Sequence, residues 1–257
     1  MKRVLLWSLA ALMAMLLSLV ISFPAAWLAP LIERKTGGRF TLADAQGTLW
    51  SGSAYLGVIA NPAMATATVF PGRFEWTLSR WLVLGEVNAR ITNPQLLEHA
   101  LTVIGDWRTW HVNQLMLRLP ASQLAMFGAP LNTLKPSGQM RVLAQSLIVR
   151  SLPEGIEIHG ALQLQLNEIA SVLSPVKPLG NYRVEFEWQG KRAQLTLTTL
   201  SGPLQLEGNG ALANGRLRFS GQAWALPEQE SRLAILLNLV GRRYQVGNRN
   251  VFAIEFT

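Results

Sequence analysis

Hydrophobic and polar positions follow one rule up to residue 38 and another after it. From Val4 to Phe23 the side chains are apolar except for Ser8, Ser18 and Ser22, and Lys2 and Arg3 lead the run. At 1.5 Å per residue, roughly twenty such residues span the ~30 Å hydrocarbon core of a bilayer. A helix satisfies its own backbone in that solvent. The run therefore predicts a cytoplasmic tip and single transmembrane helix over residues 1–23. Lys2 and Arg3 keep the N-terminus cytoplasmic, and Trp27 marks the far interface. A cleaved export signal shares the basic head, but its apolar core is usually about 7–15 residues and ends at a small-x-small site. Ser22-Phe23-Pro24-Ala25-Ala26-Trp27 offers no clean site of that kind. Residues 24–38 predict a short juxtamembrane amphipathic helix. Pro24 suits a first turn, Trp27, Leu28, Leu31 and Ile32 share a face, and Gly37-Gly38 is a stop.

From Arg39 the period becomes two. Phe40 and Leu42 alternate with polar neighbours, and Gly47-Thr48-Leu49-Trp50-Ser51-Gly52 leads to Ala54 and Leu56. After the turn signal Asn61-Pro62, strands are predicted over Met64–Phe70, Phe74–Leu84 and Gly85–Ile91. Asn93-Pro94 predicts a helix start, with Leu96, Leu97, Ala100, Leu101 and Ile104 as its stripe and Gly105 as its stop. Asn113–Leu119 returns to strand, Pro120–Phe127 predicts one or two helical turns, and the connection 128–138 is a candidate internal boundary. Alternation is cleaner over Gln139–Val149, Gly155–Leu166, Tyr182–Trp188, Ala193–Leu200 and Leu204–Ala213, with a short helix expected at Glu168–Leu173. Asn214-Gly215 fits a type I′ hairpin turn. Pro227–Val240 predicts a helix buried through Leu233, Leu236, Leu237 and Val240, and Asn250–Thr257 a last strand with Phe252, Ile254 and Phe256 inward.

The fold class is therefore mainly β: an N-terminal transmembrane helix, then a periplasmic, antiparallel, curved β-sheet domain over 39–257 with a few short helices. Phe74-Glu75-Trp76 recurs as Phe186-Glu187-Trp188, the signature that a duplicated meander would leave. The inward sets are divided. Leu162, Leu164, Leu166, Leu195, Leu197, Leu204 and Leu206 suit an acyl-lined groove, whereas Trp76, Phe186 and Trp188 suit a packed core.

Composition narrows the chemistry. The 257 residues contain no cysteine, which excludes disulfides and thiolate metal sites. The net charge of +8 falls to +6 without Lys2 and Arg3, and the cations are scattered, which reads as a solvated basic surface. No nucleic-acid partner is expected of an exported domain. His99, His111 and His159 lack a second histidine at metal-ligand spacing, and Asp44 and Asp106 are the only aspartates, so no metal site is expected. No nucleophile elbow or phosphate loop is present. Gly208-Asn209-Gly210 reads as close strand approach. Glu185 and Glu187 lie two apart on one strand face, whereas a glycosidase pair flanks a cleft. We expect no catalytic residues, no cofactor and no small-molecule substrate.

Several stretches, in order and spacing, resemble type II secretion system protein N over nearly the whole chain. They are Pro24-Ala25-Ala26-Trp27, Thr36-Gly37-Gly38-Arg39, Gly47 to Gly52, Leu131-x-x-Leu134-x-Pro136-x-Gly138, Gly202-Pro203-Leu204, Ala213-Asn214-Gly215-Arg216 and Leu236-Leu237-x-Leu239-x-Gly241. The early part also resembles AsmA-like envelope proteins, in which a membrane anchor leads into a β-groove. The first resemblance implies a non-enzymatic, single-pass inner-membrane component of the Gram-negative general secretion pathway, which exports folded proteins across the outer membrane. Its partners would be other inner-membrane and periplasmic subunits, with lipid contacted through the N-terminal helix. The second implies a lipid-handling groove, and an envelope enzyme is the least supported class. Gly47, Leu49, Trp50 and Gly52 are the candidate structural motif and partner contact, with Trp50 expected in the core. Lys2, Arg3 and Trp27 are the candidate membrane-interface residues.

Overall fold

The computed structural model describes residues 2–59, 68–127, 131–213, 216–247 and 249–256; the side chains of 2–6, 16, 17, 19 and 256 lie outside that description. The chain is mainly antiparallel β and packs as two compact units, Met1–Pro94 and Gln95–Thr257. The 128–138 connection lies within the second unit, and residues 128–130 of it are outside the described residues.

The first unit opens with helix α1 (Lys2–Ile21), followed by a 3-10 turn at Ala25–Trp27 and helix α2 (Leu28–Thr36). Gly37 closes α2 in the left-handed region at φ 61°, where a side chain would be strained. Among the described residues no helix is long and apolar enough to cross a membrane. The expected span Val4–Phe23 falls partly on side chains outside the described residues. Strands β1 (Phe40–Gly47), β2 (Ser51–Val58), β3 (Thr68–Val69), β4 (Phe74–Leu78) and β5 (Glu86–Thr92) follow. They pair in the order β1-β2-β4-β5, with β3 also on β2. Register puts Leu42 opposite Leu56, Ala54 opposite Phe74 and Trp76 opposite Ile91, so one face is apolar. The other carries Ser51, Ser53, Glu75, Thr77 and Arg90.

Two expectations change here. The predicted strand Phe74–Leu84 stops at Leu78, and Arg80–Leu84 forms a 3-10 turn. Ser79 accepts a hydrogen bond from the Trp81 N–H and Gly85 ends the turn at φ 99°, so local capping overrides the β propensity of the run. Asn61-Pro62 and most of Met64–Phe70 lie outside the described residues.

In the second unit the predicted helix after Asn93 is not a helix. Leu101–Asp106 is strand β6, paired with β7 (Thr109–Pro120), and the chain before it turns and meets β7 through the isolated antiparallel bridge of Leu97 with Leu117. Arg118 N–H donates to Leu96 O at 2.7 Å and Glu98 N–H to Met116 O at 3.1 Å. Gly105 serves the hairpin, because a Cβ there would fall 1.9 Å from Thr109 O. Beyond a 3-10 segment (Ala121–Phe127) and helix α3 (Leu131–Leu134) come the long strands β8 (Pro136–Leu152) and β9 (Gly155–Ser171). The short helix expected at Glu168–Leu173 is absent because β9 continues to Ser171. Glu168 takes positive φ at a register shift, and its N–H donates to Asn181 Oδ1 at 2.6 Å.

Strands β10 (Gly180–Gly190), β11 (Arg192–Ser201), β12 (Leu204–Ala213) and β13 (Arg216–Ala225) follow, then helix α4 (Glu230–Val240), β14 (Arg242–Val246) and β15 (Arg249–Phe256). Order in this unit is β6-β7-β8-β9-β10-β11-β12-β13-β15-β14. Residues 214–215 are outside the described residues; Ala213 pairs with Arg216 across them.

Period two now sorts the faces. Leu164, Val184 and Leu197 align across three strands, while Gln165, Arg183 and Thr198 align on the opposite face. The apolar face is covered where α4 packs its buried Leu233, Leu236 and Leu237 against Leu195, Leu204, Phe219, Phe252 and Ile254. The Phe219 ring lies over a patch without side chains, since a Cβ on Gly208 would fall 2.5 Å from its Cζ. The glycines of Gly208-Asn209-Gly210 are thus explained by an aromatic laid across the sheet. Farther along this face Leu162, Leu164 and Leu166 are only half-buried.

Tyr182 is 2% exposed, and its hydroxyl donates to Leu204 O at 3.0 Å. Burial pushes its phenol well above the usual tyrosine range. The neutral form is the one that folds, so this contribution is complete below the ordinary value of about 10 and is lost as pH rises through the raised one. Tyr182→Phe should cost about 1 kcal/mol in urea titrations at neutral pH and reduce the loss of stability at alkaline pH.

Candidate functional site

The Gly47 to Gly52 stretch is a tight turn between β1 and β2, and it grips the end of α1. In a continuing helix the carbonyl of Val20 would receive the N–H of residue 24, but Pro24 has none. Trp50 supplies the missing donor: its indole Nε1–H donates to Val20 O at 2.8 Å. Beside it Leu49 N–H donates to Phe23 O at 2.8 Å, and Pro24 bridges Thr48 in antiparallel fashion. An orphan carbonyl at a helix end is costly wherever water is scarce, and this turn removes one at Val20 and pairs the carbonyl of Phe23 just beyond the helix.

The turn is held from the sheet side as well. Trp76 Nε1–H donates to Leu49 O at 3.1 Å and Leu78 N–H to Trp50 O at 2.7 Å. Thr48 N–H donates to Ser51 O at 2.9 Å. Gly47 lies at φ 82°, and a Cβ on Gly52 would meet Trp76 Cζ2 at 2.6 Å and Thr48 O at 2.7 Å. Both glycines are therefore fixed by close approach. An open depression of about 410 Å3 beside the turn is lined by Gly47, Ser51, Gly52, Glu75, Trp76 and Arg90 among others.

A bulge in β1 precedes the turn. Asp44, at φ 50°, receives a hydrogen bond from Arg73 Nη1 at 2.7 Å, while Arg73 Nε–H donates to Ser53 Oγ at 2.8 Å. The Arg73 guanidinium carbon is also 5.1 Å from the Tyr55 ring centroid. Hydrogen bonds from Arg73 and then Gln46 hold the Asp44 carboxyl below the usual aspartate range. Together these contacts tie β1, β2 and the entry to β4 across the bulge.

Of the sequence-predicted site residues, Gly47, Leu49, Trp50 and Gly52 are brought together. Trp50 is half-buried at the helix end, not enclosed in a core. Trp27 is 55% exposed and meets Phe23 edge-on with ring centroids 5.2 Å apart. The side chains of Lys2 and Arg3 lie outside the described residues. Arg73 was not singled out from the sequence, where Trp76 stood only as a core aromatic and Asp44 only as one of two aspartates, and only Pro24 followed by a later Trp hinted at the helix-end contact.

Among the described residues no group of three His, Cys, Asp or Glu could hold a metal ion. His111 is exposed on β7, and His159 has Nε2 buried without a protein partner. Glu185 and Glu187 are both exposed on β10, and Gln163 Nε2 donates to Glu185 Oε1 at 3.4 Å.

Trp50→Phe keeps the ring and deletes the donor. It should destabilise the full chain by about 1–3 kcal/mol, read by denaturant titration in mild detergent. Gly52→Ala should do at least as much harm, because its clash is with backbone as well as with Trp76. Asp44→Asn should flatten the loss of stability on acidification. The native carboxylate contributes above the ordinary aspartate value of about 4, and that contribution goes as pH falls through the lowered one.

The geometry describes a collar joining a helix to a sheet. In comparison with known proteins, the family model for type II secretion system protein N matches residues 38–251, from Gly38 into β15. No curated protein and no solved structure matches the chain. The matched span takes in the Gly47 to Gly52 turn, the strands from β1 into β15 and α4, and on that match the chain belongs to the type II secretion system protein N family.

Proposed function

We propose that this chain is a non-enzymatic accessory component of the type II secretion machinery, held in the inner membrane by α1 with its N-terminus cytoplasmic. Its β-units would lie in the periplasm and contact other inner-membrane and periplasmic subunits while folded proteins are exported. The family match over residues 38–251 carries this reading. Membership itself implies other secretion components as partners.

The anchor is supported by residue type and by exposure. The run Val4–Phe23 has no charged residue, and Trp7, Leu9, Leu12, Met13 and Met15 are all more than half exposed on α1. Such a helix needs lipid or a partner around it. Trp50, Pro24 and Phe23 then join the emerging helix to the first hairpin. Sheet edges supply surfaces for subunits: every residue of β14 is exposed and one side of that strand is unpaired.

A lipid-handling role is the second reading. It is favoured by the half-buried Leu162 and Leu164, where the apolar face extends beyond the cover of α4, whereas Leu166 packs against Ala121, Ile169 and Tyr182. Native mass spectrometry of the full chain, gently extracted from its own membrane, separates the two. Secretion subunits retained without stoichiometric lipid on the β-units are the expected result. Stoichiometric phospholipid without those subunits would reverse the order.

A further inference from the structure

The 3-10 turn Arg80–Leu84 presents an unusual surface for so short a connection. Trp81 is 61% exposed, Val83 54% and Leu84 76%. The turn is not loose. Ser79 Oγ accepts from Trp81 N–H at 3.3 Å, Gly85 N–H donates to Leu82 O at 3.1 Å, and Ser79 N–H donates to Asn88 O at 2.8 Å. Three large apolar side chains are thus held outward by a capped frame.

Their position supplies the explanation. Leu78, the last residue of β4, donates to Trp50 O, so the turn emerges at the end of the sheet where the collar holds α1. An apolar cleft of about 840 Å3 opens between them. Ala10, Met13, Ala14, Val20 and Ile21 of α1 line it on one side, Arg80 and Val83 on the other, with Trp50 at its end. From Ile21 back to Ala10 is roughly 16 Å of helix, about half of a bilayer's hydrocarbon thickness. The turn therefore lies beside the part of α1 nearest its exit.

We propose that Arg80–Leu84 is a second membrane-inserted element. Trp81, Val83 and Leu84 would enter the leaflet from which α1 emerges, and a phospholipid acyl chain would fill the cleft. The residue types match that depth. Tryptophan settles at head-group level, and an arginine beside an apolar wall keeps its guanidinium among phosphates. Arg80 is exposed, and among the described residues no carboxylate pairs with it, so its charge is open to a phosphate. A phospholipid therefore fits both walls of the cleft, acyl chain to α1 and head group to Arg80. This rests on the anchor reading above, and together the two would hold the first unit to the membrane at two points and fix its rotation about α1.

The chain has no cysteine, which makes single-cysteine labelling clean. Leu84→Cys and Val83→Cys replace exposed side chains, so neither should disturb folding. Each full-length variant, carrying an environment-sensitive fluorophore, is reconstituted in vesicles of phosphatidylethanolamine and phosphatidylglycerol, with and without lipids bearing a nitroxide on the acyl chain. The expected result at both positions is blue-shifted emission and loss of most of its intensity to the lipid nitroxide. A water-like emission that the nitroxide leaves unchanged overturns the proposal. So does a blue-shifted emission without lipid quenching, which would mean that protein covers the turn. A Met13→Cys label reports the anchor separately. Quenching there with none at 83 and 84 removes the wedge and leaves the anchor, whereas no quenching at any of the three removes both.

Discussion

A β-strand gives its side chains to opposite faces in strict turn, so one pairing register decides the fate of every residue on a sheet. In the second unit that decision is visible in three adjacent strands, where Leu164, Val184 and Leu197 share one face and Gln165, Arg183 and Thr198 the other. The remaining features are responses to it. The apolar face needs a lid, and α4 supplies one through Leu233, Leu236 and Leu237. Phe219 needs room to lie flat, and the glycines at 208 and 221 provide it. Tyr182 can be enclosed only because its hydroxyl reaches Leu204 O. Register is set by backbone hydrogen bonds, yet it is the side-chain pattern that makes any other register costly.

The same rule accounts for what could be read from the sequence. Strands β10 to β13 were legible because polar and apolar residues alternate there without interruption, and α4 because its buried leucines keep helical spacing. Residues 93–105 were misread because Leu96, Leu97, Ala100, Leu101 and Ile104 also satisfy a helical period. What selects strand is the partner β7, which no local window contains. Asn93, a plausible cap, is instead 1% exposed and donates from Nδ2 to Pro71 O at 3.2 Å. The bulge at Glu168 was equally hidden, since it depends on Asn181 arriving from the next strand.

For the collar, the local half was legible and the long-range half was not. Two glycines around Thr48-Leu49-Trp50-Ser51 announce a turn, but nothing in that stretch tells what the indole will meet. Its partner, the carbonyl of Val20, is thirty residues away in sequence. The clue lies at Pro24, whose missing N–H creates the vacancy that Trp50 fills. Here the joint couples the end of α1 to the first hairpin of the sheet.

The last strand pair has a consequence for assembly. Strand β14 ends the second unit's sheet with Arg242 and Arg243 in succession, and Arg243 is steadied by Asn250, whose Oδ1 accepts from its Nη2 at 2.7 Å. Two copies meeting along this border in parallel register would set those guanidinium groups beside their own counterparts at a strand spacing of about 4.8 Å. Like charge at that range opposes stacking of the chain upon itself. The border is thus self-avoiding, and a strand carrying carboxylates would meet no such barrier.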